Sequence, residues 1–441
     1  MNEAALREIV GNWADLVSPR TGIIRTLSRV QRGAEEPSPP FIYQSEVAHF
    51  DFRMTKAQDR ASAGKGITEE AAIRGAIGEA IERYCASHID HTATIVSPWL
   101  PISDRAVAPT EFVLYSASQY DGGKIQYHRW DPKDEVTWIA ARELPSDRSV
   151  YVPASLVYLQ FPQNRIEDVF TPATSNGLAA GPTLKSAILH GLYECMERDA
   201  FLVTWMARLP APEVLFSKSS PLADSIRAHY KRFGVDVRVF RMCTDLEVHV
   251  MMAIALDLTG LGPATVVGLG CHACPEQALA RAMLEICQVH PGEARRYREH
   301  APGKRLKRAE DIKGLEDHSA WASMPERLDE FSFLLRNGQT QSLEDLPDFS
   351  TGNIERDLEH CVGTLQRAGS RVLYVDLTTS DVVDYGIHVA RGIATGLQPI
   401  HFGWGEERLG GRRLFHLPQK LGFASAALAE SDLNPCPHPL A

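Results

Sequence analysis

One helical pattern occurs twice in this chain, and that repetition limits what it can fold into. Residues 66–83 and 181–198 match at an offset of 115, pairing Gly66 with Gly181, Thr68 with Thr183, Ala72 with Ala187 and Ile73 with Ile188. The pairing continues with Glu79 on Glu194, Glu82 on Glu197 and Arg83 on Arg198. In the first copy, Thr68 suits an N-cap, and apolar residues follow at 73, 76, 77, 80, 81 and 84 with a helical period. A third helix begins at Pro275, a favoured first helical position, and runs through ALARAMLEICQ. At an offset of 206 it places Ala278 on Ala72, Glu285 on Glu79 and Gln288 on Glu82. Such self-similarity marks a recurring supersecondary unit.

The repeated helices share their carboxylates. Glu79 and Glu82 are three residues apart and project from one side; Glu194 and Glu197 do the same, with His190 one turn earlier on that stripe. Arg281, Glu285 and Gln288 form the corresponding stripe on the third helix. On one helix alone, such a pair reads as a solvated face with an ordinary ion pair such as Glu79–Arg83. Three helices with the same arrangement point instead to a hard-cation site. Mg2+ takes oxygen ligands and completes its shell with phosphate oxygens, so these carboxylates would hold two or more ions and, through them, a nucleoside triphosphate. Arg281 would engage phosphate oxygens in pairs. There is no GxxxxGK[ST] loop, and the lone Gly-Leu-Gly at 268–270 is a weak signal. Taken by themselves, the residues leave a metal-only hydrolase or a di-iron helical protein open as well.

Composition removes other classes. With 441 residues, 44% apolar and 23% charged, the chain is a soluble globular protein of more than ordinary single-domain length. Lys and Arg total 46 against 56 Asp and Glu, a net charge of −10, which disfavours general binding to nucleic acid. No segment approaches the ~18–20 apolar residues of a membrane helix. MNEAALREIV lacks a basic-then-apolar signal, so a cytoplasmic location with reduced thiols is expected. Cys85, Cys195 and Cys287 fall in helical patterns as buried thiols. Cys271-His272-Ala273-Cys274 has no second CxxC to close a zinc site, and reads as two buried thiols at a strand-to-helix junction. Strands are expected at 150–159, 235–240, 250–256, 264–268 and 372–377, an extended crossing at EEPSPPFIYQ, and a solvated charged helix over 296–318. Trp99, Trp130, Trp138 and Trp205 read as core or interface residues.

These segments carry a family resemblance. SAGKGITEEAAIRGAIGEAIERY (62–84), TSNGLAAGPTLKSAILHGLYECMERDA (174–200) and GLGCHACPEQALARAMLEICQ (268–288) resemble the three signature segments of the YcaO superfamily. VDLTTSDVVDYGIHVARGIATGLQPIHFG (375–403) resembles its later segment, so the likeness covers about 50–441. The resemblance implies an α+β fold of mixed sheets, with the three helices bringing their carboxylates together on a Mg-ATP site. By position it implies metal ligation by Glu79, Glu82, Glu194 and Glu197. The same four would contact ATP, joined by Ser62, Lys65, Asn176, Arg281, Glu285 and His190, which stands where some members carry Gln. It also implies three parts: an N-terminal segment over 1–50, a catalytic domain over 51–430 and a proline-rich tail over 431–441.

Pro435-Cys436-Pro437-His438-Pro439 reads PxPxP, which by composition alone is a disordered tail. Beside the YcaO signatures it resembles the end of azoline-forming cyclodehydratases of the discrete D-protein type, where the tail lies in the active site. That assigns Pro435, Pro437, Pro439 and Ala441 to catalysis, although Leu440-Ala441 stands where members often carry an aromatic residue. The implied activity is ATP-dependent conversion of Cys, Ser or Thr in a ribosomal precursor peptide to thiazoline or oxazoline, with ADP and phosphate as co-products, in bacteriocin-like biosynthesis. Implied partners are the precursor peptide, a separate E1-like leader-binding protein, a flavin dehydrogenase where azolines are oxidised, and a second copy of the chain. Nucleic acid and membrane are not among them. Thioamide or amidine formation and a non-catalytic scaffold are the alternatives. The PxPxP end argues against the first two, and the intact carboxylates against the third.

Overall fold

Thr68 and Thr183 cap the two repeated helices. The Thr68 hydroxyl accepts from the Ala71 N–H and that of Thr183 from the Ser186 N–H, both at 3.2 Å. The computed structural model describes residues 3–48, 61–123, 125–162, 164–216, 220–300 and 306–440. Its α-helices are α1 (Glu3–Val10), α2 (Glu69–Ala86), α3 (Ala117–Asp121), α4 (Leu184–Met206), α5 (Pro221–Lys231) and α6 (Pro275–His300). They continue with α7 (Leu315–Ala322), α8 (Ser332–Leu335), α9 (Ile354–Arg367), α10 (Ser380–Val383) and α11 (Arg413–Lys420). The signature helices are α2, α4 and α6.

Three sheets carry these helices, giving the α+β architecture expected. β1 (Ile24–Arg29), β2 (Phe41–Val47) and β3 (Ala61–Gly66) pair antiparallel in that order. β4 (Thr94–Ser97), β5 (Val136–Leu144), β6 (Arg148–Pro153), β7 (Leu178–Gly181), β13 (Val372–Asp376) and β14 (His388–Ala394) form an antiparallel sheet. Its order is β4-β5-β13-β14-β7, with β6 on β5. β8 (Glu213–Leu215), β9 (Val235–Arg241), β10 (His249–Asp257), β11 (Thr265–His272) and β12 (Thr340–Ser342) lie in the order β11-β10-β9-β8-β12, parallel only at β8–β12. β3 and β7 are therefore edge strands.

The repeat extends to the packing. A Cβ on Gly64 of β3 would stand 2.1 Å from Ala72 O and 2.1 Å from Ala76 N; one on Gly270 of β11 would stand 2.3 Å from Ala278 O and 2.5 Å from Ala282 N. Each of these residues matches its counterpart at the offset of 206, so the first and third units share one helix-on-strand contact that only glycine permits. α2 lies on β2 and β3 and also touches β7; α4 lies on β7 and β14 and touches β10 and β11; α6 lies on β10 and β11 and reaches β3. Each signature helix thus contacts more than one sheet, which turns their polar stripes toward a common centre. One apolar core surrounds α4, a second α2, and a third fills the other face of the β9–β11 sheet beneath α5 and α6.

Three expectations need correction. The strand expected over 150–159 ends at Pro153, which lacks the N–H a continuing ladder needs, and a 3-10 turn follows at Ala154–Leu156. The third helix does not stop at Gln288; it passes Pro291 and continues to His300. The charged stretch 296–318 is not one solvated helix. Asp311 accepts from the Lys307 and Arg308 N–H groups (2.9 and 3.0 Å) and Asp317 from Lys313 (2.9 Å), closing local turns, and α7 then buries His318, Ala320 and Trp321. Among the described residues no helix is long and apolar enough to cross a membrane.

Gly270→Ala should lower unfolding free energy by about 1–3 kcal/mol through forced separation of β11 from α6. Gly292→Ala, in the same helix with nothing within 4 Å of the added Cβ, should raise it by about 0.5–1 kcal/mol. Urea unfolding of both variants checks the pair.

Candidate active site

The carboxylates of α2 take their positions from strand edges. Glu79 Oε2 accepts from the Ala63 N–H of β3 at 3.0 Å, and its Oε1 lies 3.0 Å from Arg83 Nη2. Glu82 Oε1 accepts from the Ala180 N–H of β7 at 2.7 Å. On α4, Glu194 Oε2 accepts from the Gly177 N–H at 3.0 Å, and Gly177 adopts φ +86°, a left-handed conformation suited to glycine. Arg198 stands between Glu194 and Glu197, at 3.6 and 3.1 Å. From β3, Lys65 Nζ reaches Glu285 Oε2 of α6 at 3.3 Å.

Burial and mutual charge dominate the electrostatics. Burial and then the charge of Glu79 push the Glu82 carboxyl up to about 8, with Glu194 adding from the other helix. Burial pushes Glu197 up to about 7; Arg198 opposes this, while Glu285 and Glu194 add to it. Glu194 is raised chiefly by burial, against Arg198. Carboxylates from α2, α4 and α6 therefore feel one another's fields, and the three stripes meet.

Sequence reasoning missed a second cation. Arg391 of β14 is buried, donating from Nε and Nη2 to Val157 O (3.0 and 2.7 Å) and from Nη1 to Asn176 O (2.7 Å). Burial holds its pKa down to about 10, with Glu194 opposing. It pins the loop whose Gly177 N–H holds Glu194. Its only sequence signal is its place in the segment 375–403.

The other expected contacts divide. Ser62 Oγ and Asn176 Oδ1 are buried and have no hydrogen-bond partner, as groups awaiting a ligand would be. Arg281 donates from Nη1 to Cys271 O at 3.1 Å and stands 5.9 Å over the Tyr193 ring, beside the neutral His190. Burial, then Arg281 and His272, hold His190 down to about 4. Of the two CxxC thiols expected to be buried, Cys271 is, while Cys274 is only partly covered and donates to Glu276 Oε2 at 3.1 Å; burial raises both.

A cavity of about 340 Å³ is lined, among the expected site residues, by Asn176 and Glu194. Arg83, Asn176, Glu194 and Arg198 form its polar side; Leu159, Leu315, Ile400, Phe402 and Leu440 form its apolar side. Two larger hollows, of about 990 and 770 Å³, lie beside the end of α2 and beside α11, and none of the four helix glutamates lines either. The proline-rich tail is ordered against α4. Asn434 N donates to Met206 O (2.6 Å), Asn434 Nδ2 to Trp205 O (3.1 Å), and Trp205 Nε1 to Cys436 O (3.1 Å). Pro435 is exposed, Pro437 and Pro439 are buried, and Ala441 lies outside the described residues. Leu440 is the tail residue that reaches the cavity.

The donor set suits a hard cation. The groups are oxygens, and burial pushes three of the carboxyls, Glu82, Glu194 and Glu197, up despite the arginines beside them. They are also spread out. Among the described residues, the one group of three or more ligating side chains whose atoms fall within 4.8 Å of one another is His318, His401 and His438, not the glutamates. A spread set of this kind fits ions that use one or two carboxylates each and complete their shell elsewhere, as Mg2+ does with phosphate.

Comparison with known proteins gives a consistent result. Residues 63–398 match the family model described as YcaO cyclodehydratase, ATP- and Mg2+-binding. An uncharacterized protein of Methanothermobacter thermautotrophicus is 32% identical over 357 residues, covering 79% of this chain and 84% of that one. A heterocyclase solved in complex with substrate and cofactor superposes with a TM-score of 0.82 at 24% identity, over 100% of this chain and 58% of that chain. The heterocyclase TruD superposes at 0.68 with 26% identity, over 83% of this chain and 50% of that chain. The chain thus spans little more than half the length of the two heterocyclases.

Burial holds His318 down to about 4 from its usual 6.5, and His401 and His438 well below that value. All three are neutral in the folded protein at pH 7 and take up protons more readily once unfolded. Their stabilising contribution is complete above pH 6.5 and falls away toward pH 4, by about 3 kcal/mol for His318. Thermal unfolding across this range should show the loss, and a His318→Leu variant should show a shallower one.

Proposed function

The chain belongs to the YcaO family, and from that premise we propose that it is an ATP-dependent cyclodehydratase forming thiazoline or oxazoline rings in a ribosomal peptide. The observation that carries this reading is the cavity: the half-buried Glu194–Arg198 pair faces an apolar wall completed by tail residue Leu440. One side offers charge for a nucleotide and the other a dry surface for a peptide.

In the proposed reaction the side-chain sulfur or oxygen of a substrate Cys, Ser or Thr bonds to the preceding amide carbon and gives up its proton. The former carbonyl oxygen then bonds to the γ-phosphorus of ATP, releasing ADP. Loss of that oxygen as phosphate, with the amide proton, leaves the C=N bond of the ring. The net change in the peptide is one water lost. An amide oxygen leaves poorly as hydroxide and readily as phosphate.

Glu79, Glu82, Glu194 and Glu197 would hold Mg2+, which when bound supplies neutralisation of phosphate charge. Lys65, Arg281, Glu285, Ser62, Asn176 and His190 would contact the nucleotide; the neutral His190 donates or accepts without adding charge. Arg198 and Arg391 hold the α4 carboxylate and its loop in place, so that positioning is complete before substrate arrives. The apolar wall excludes water from the phosphorylated adduct. Delivery of the peptide by a separate leader-binding protein, and pairing of two copies of the chain, belong to the same reading and rest on the family resemblance.

The test is to incubate the chain with Mg-ATP, the precursor peptide encoded beside it and the neighbouring leader-binding protein, then weigh the peptide. Loss of one water per ring with matching phosphate is expected; an unchanged peptide mass with ATP bound would sink the proposal. Glu194→Gln and Glu197→Gln should each raise the KM for ATP at least tenfold or stop turnover. Glu82 and Glu197 sit near 8 and 7, and below these values protons compete with the cation. Affinity for Mg-AMPPNP should therefore weaken as pH falls below 8, with protons released on binding. Calorimetry in buffers of different ionisation enthalpy measures both.

A further inference from the structure

The apolar wall of the cavity is supported from behind by three histidines. Leu315, Ile400, Phe402 and Leu440 come from three separate stretches of chain, and each stretch brings a buried histidine to one point. His318 is one turn along α7 from Leu315, His401 lies between Ile400 and Phe402, and His438 is two residues before Leu440. The His318 and His438 rings stack at 3.8 Å with 2° between their planes, and His401 meets His438 edge-on at 4.6 Å.

Backbone groups occupy most of the ring nitrogens. His318 Nδ1 lies 2.9 Å from His438 O, and its Nε2 lies 2.8 Å from Phe402 O. His438 Nε2 lies 3.0 Å from His401 O, and its Nδ1 accepts from the Leu440 N–H at 3.3 Å. His401 Nδ1 is buried without a partner. Two parallel stacked rings do not aim their lone pairs at a common point. With the nitrogens of both stacked rings lying against backbone groups of other segments, this cluster is a latch between chain segments.

We propose that His318 is a positioning residue, donating from Nδ1 to the carbonyl of His438 so that Leu440 is fixed in the cavity wall against which the peptide substrate lies. The effect falls on the peptide side, because Glu79, Glu82, Glu194 and Glu197 take their contacts from α2, α4, the strand edges and the Gly177 loop instead. A neutral imidazole carries one N–H and donates to one carbonyl at a time. An Asn amide reaches about as far as Nδ1 and a Gln amide about as far as Nε2, so the two substitutions separate the tail contact from the Phe402 contact.

The part of this inference that concerns substrate rests on the cyclodehydratase reading; the latch itself does not. Hydrogen exchange of the full chain tests the latch without any turnover. In His318→Ala the tail amides of Cys436, His438 and Leu440 should lose protection by about tenfold, the size expected for one buried hydrogen bond, while β10 and β11 keep theirs. His318→Asn should restore protection and His318→Gln should not. On the precursor peptide used above, His318→Ala should raise the peptide KM by about tenfold with the ATP KM within about twofold, again recovered by Asn. Unchanged tail protection in His318→Ala would overturn the latch. So would protection lost equally across β10 and β11, since that is general destabilisation. Lost tail protection with an unchanged peptide KM would overturn the role in positioning the wall. A wild-type chain that forms no rings would refute the cyclodehydratase reading and leave the exchange comparison to decide the latch.

Discussion

Like charges held together away from water set the terms for this structure. Glu82 and Glu194 come from different helices, lie within each other's field, and are buried enough that desolvation is the first cause of both shifts. Such a cluster costs folding energy unless each member has a hydrogen-bond donor or a cation. The structure supplies these from the backbone of β3 and β7, from the Gly177 loop, and from Arg83 and Arg198. The arrangement of sheets follows from this requirement. An N–H in the middle of a sheet is already paired, so only edge strands and loops can serve, and the signature helices lie where edges are available.

The sequence made the helices legible and their partners illegible. Capping threonines, helical periodicity and the carboxylate register all lie within a few consecutive residues, and each appears in the structure where the pattern put it. β3 (ASAGKG) and β7 (LAAG) carry no β-branched or aromatic residue, so neither gives a strand signal. They are built from small residues because a helix backbone lies on them, as Gly64 against Ala72 shows. A donor such as Ala63 or Ala180 is an N–H that any residue but proline has; only the fold says where it points.

Arg391 and His318 were overlooked for different reasons. Arg391 is a charged residue in a largely apolar strand, and its three hydrogen bonds go to two carbonyls, of Val157 and Asn176, in loops distant in sequence. His318 sits in a stretch so charged that it resembled a solvated helix, although Gly314 and Asp317 punctuate it and α7 turns inward. The tail, disordered by composition alone, packs against α4, and the residue that reaches the cavity is Leu440, beyond the prolines, with Pro435 facing solvent. Proline stiffness explains how such a tail reaches a fixed place at low entropic cost, while its anchoring comes from Asn434, Trp205 and the carbonyl groups.

The donors that hold Glu79 and Glu82 lie on sheet borders, which has a consequence for the protein in solution. An uncovered strand border is adhesive, since its free N–H groups can recruit a strand from a neighbouring molecule. Here the side chains that gather charge at the centre also screen β3 and β7 from such recruitment. A change that shortens either glutamate to alanine would uncover a border as well as remove a charge, whereas glutamine keeps an oxygen there. Protection of the strand borders and the gathering of charge are thus tied to the same two atoms, Glu79 Oε2 and Glu82 Oε1.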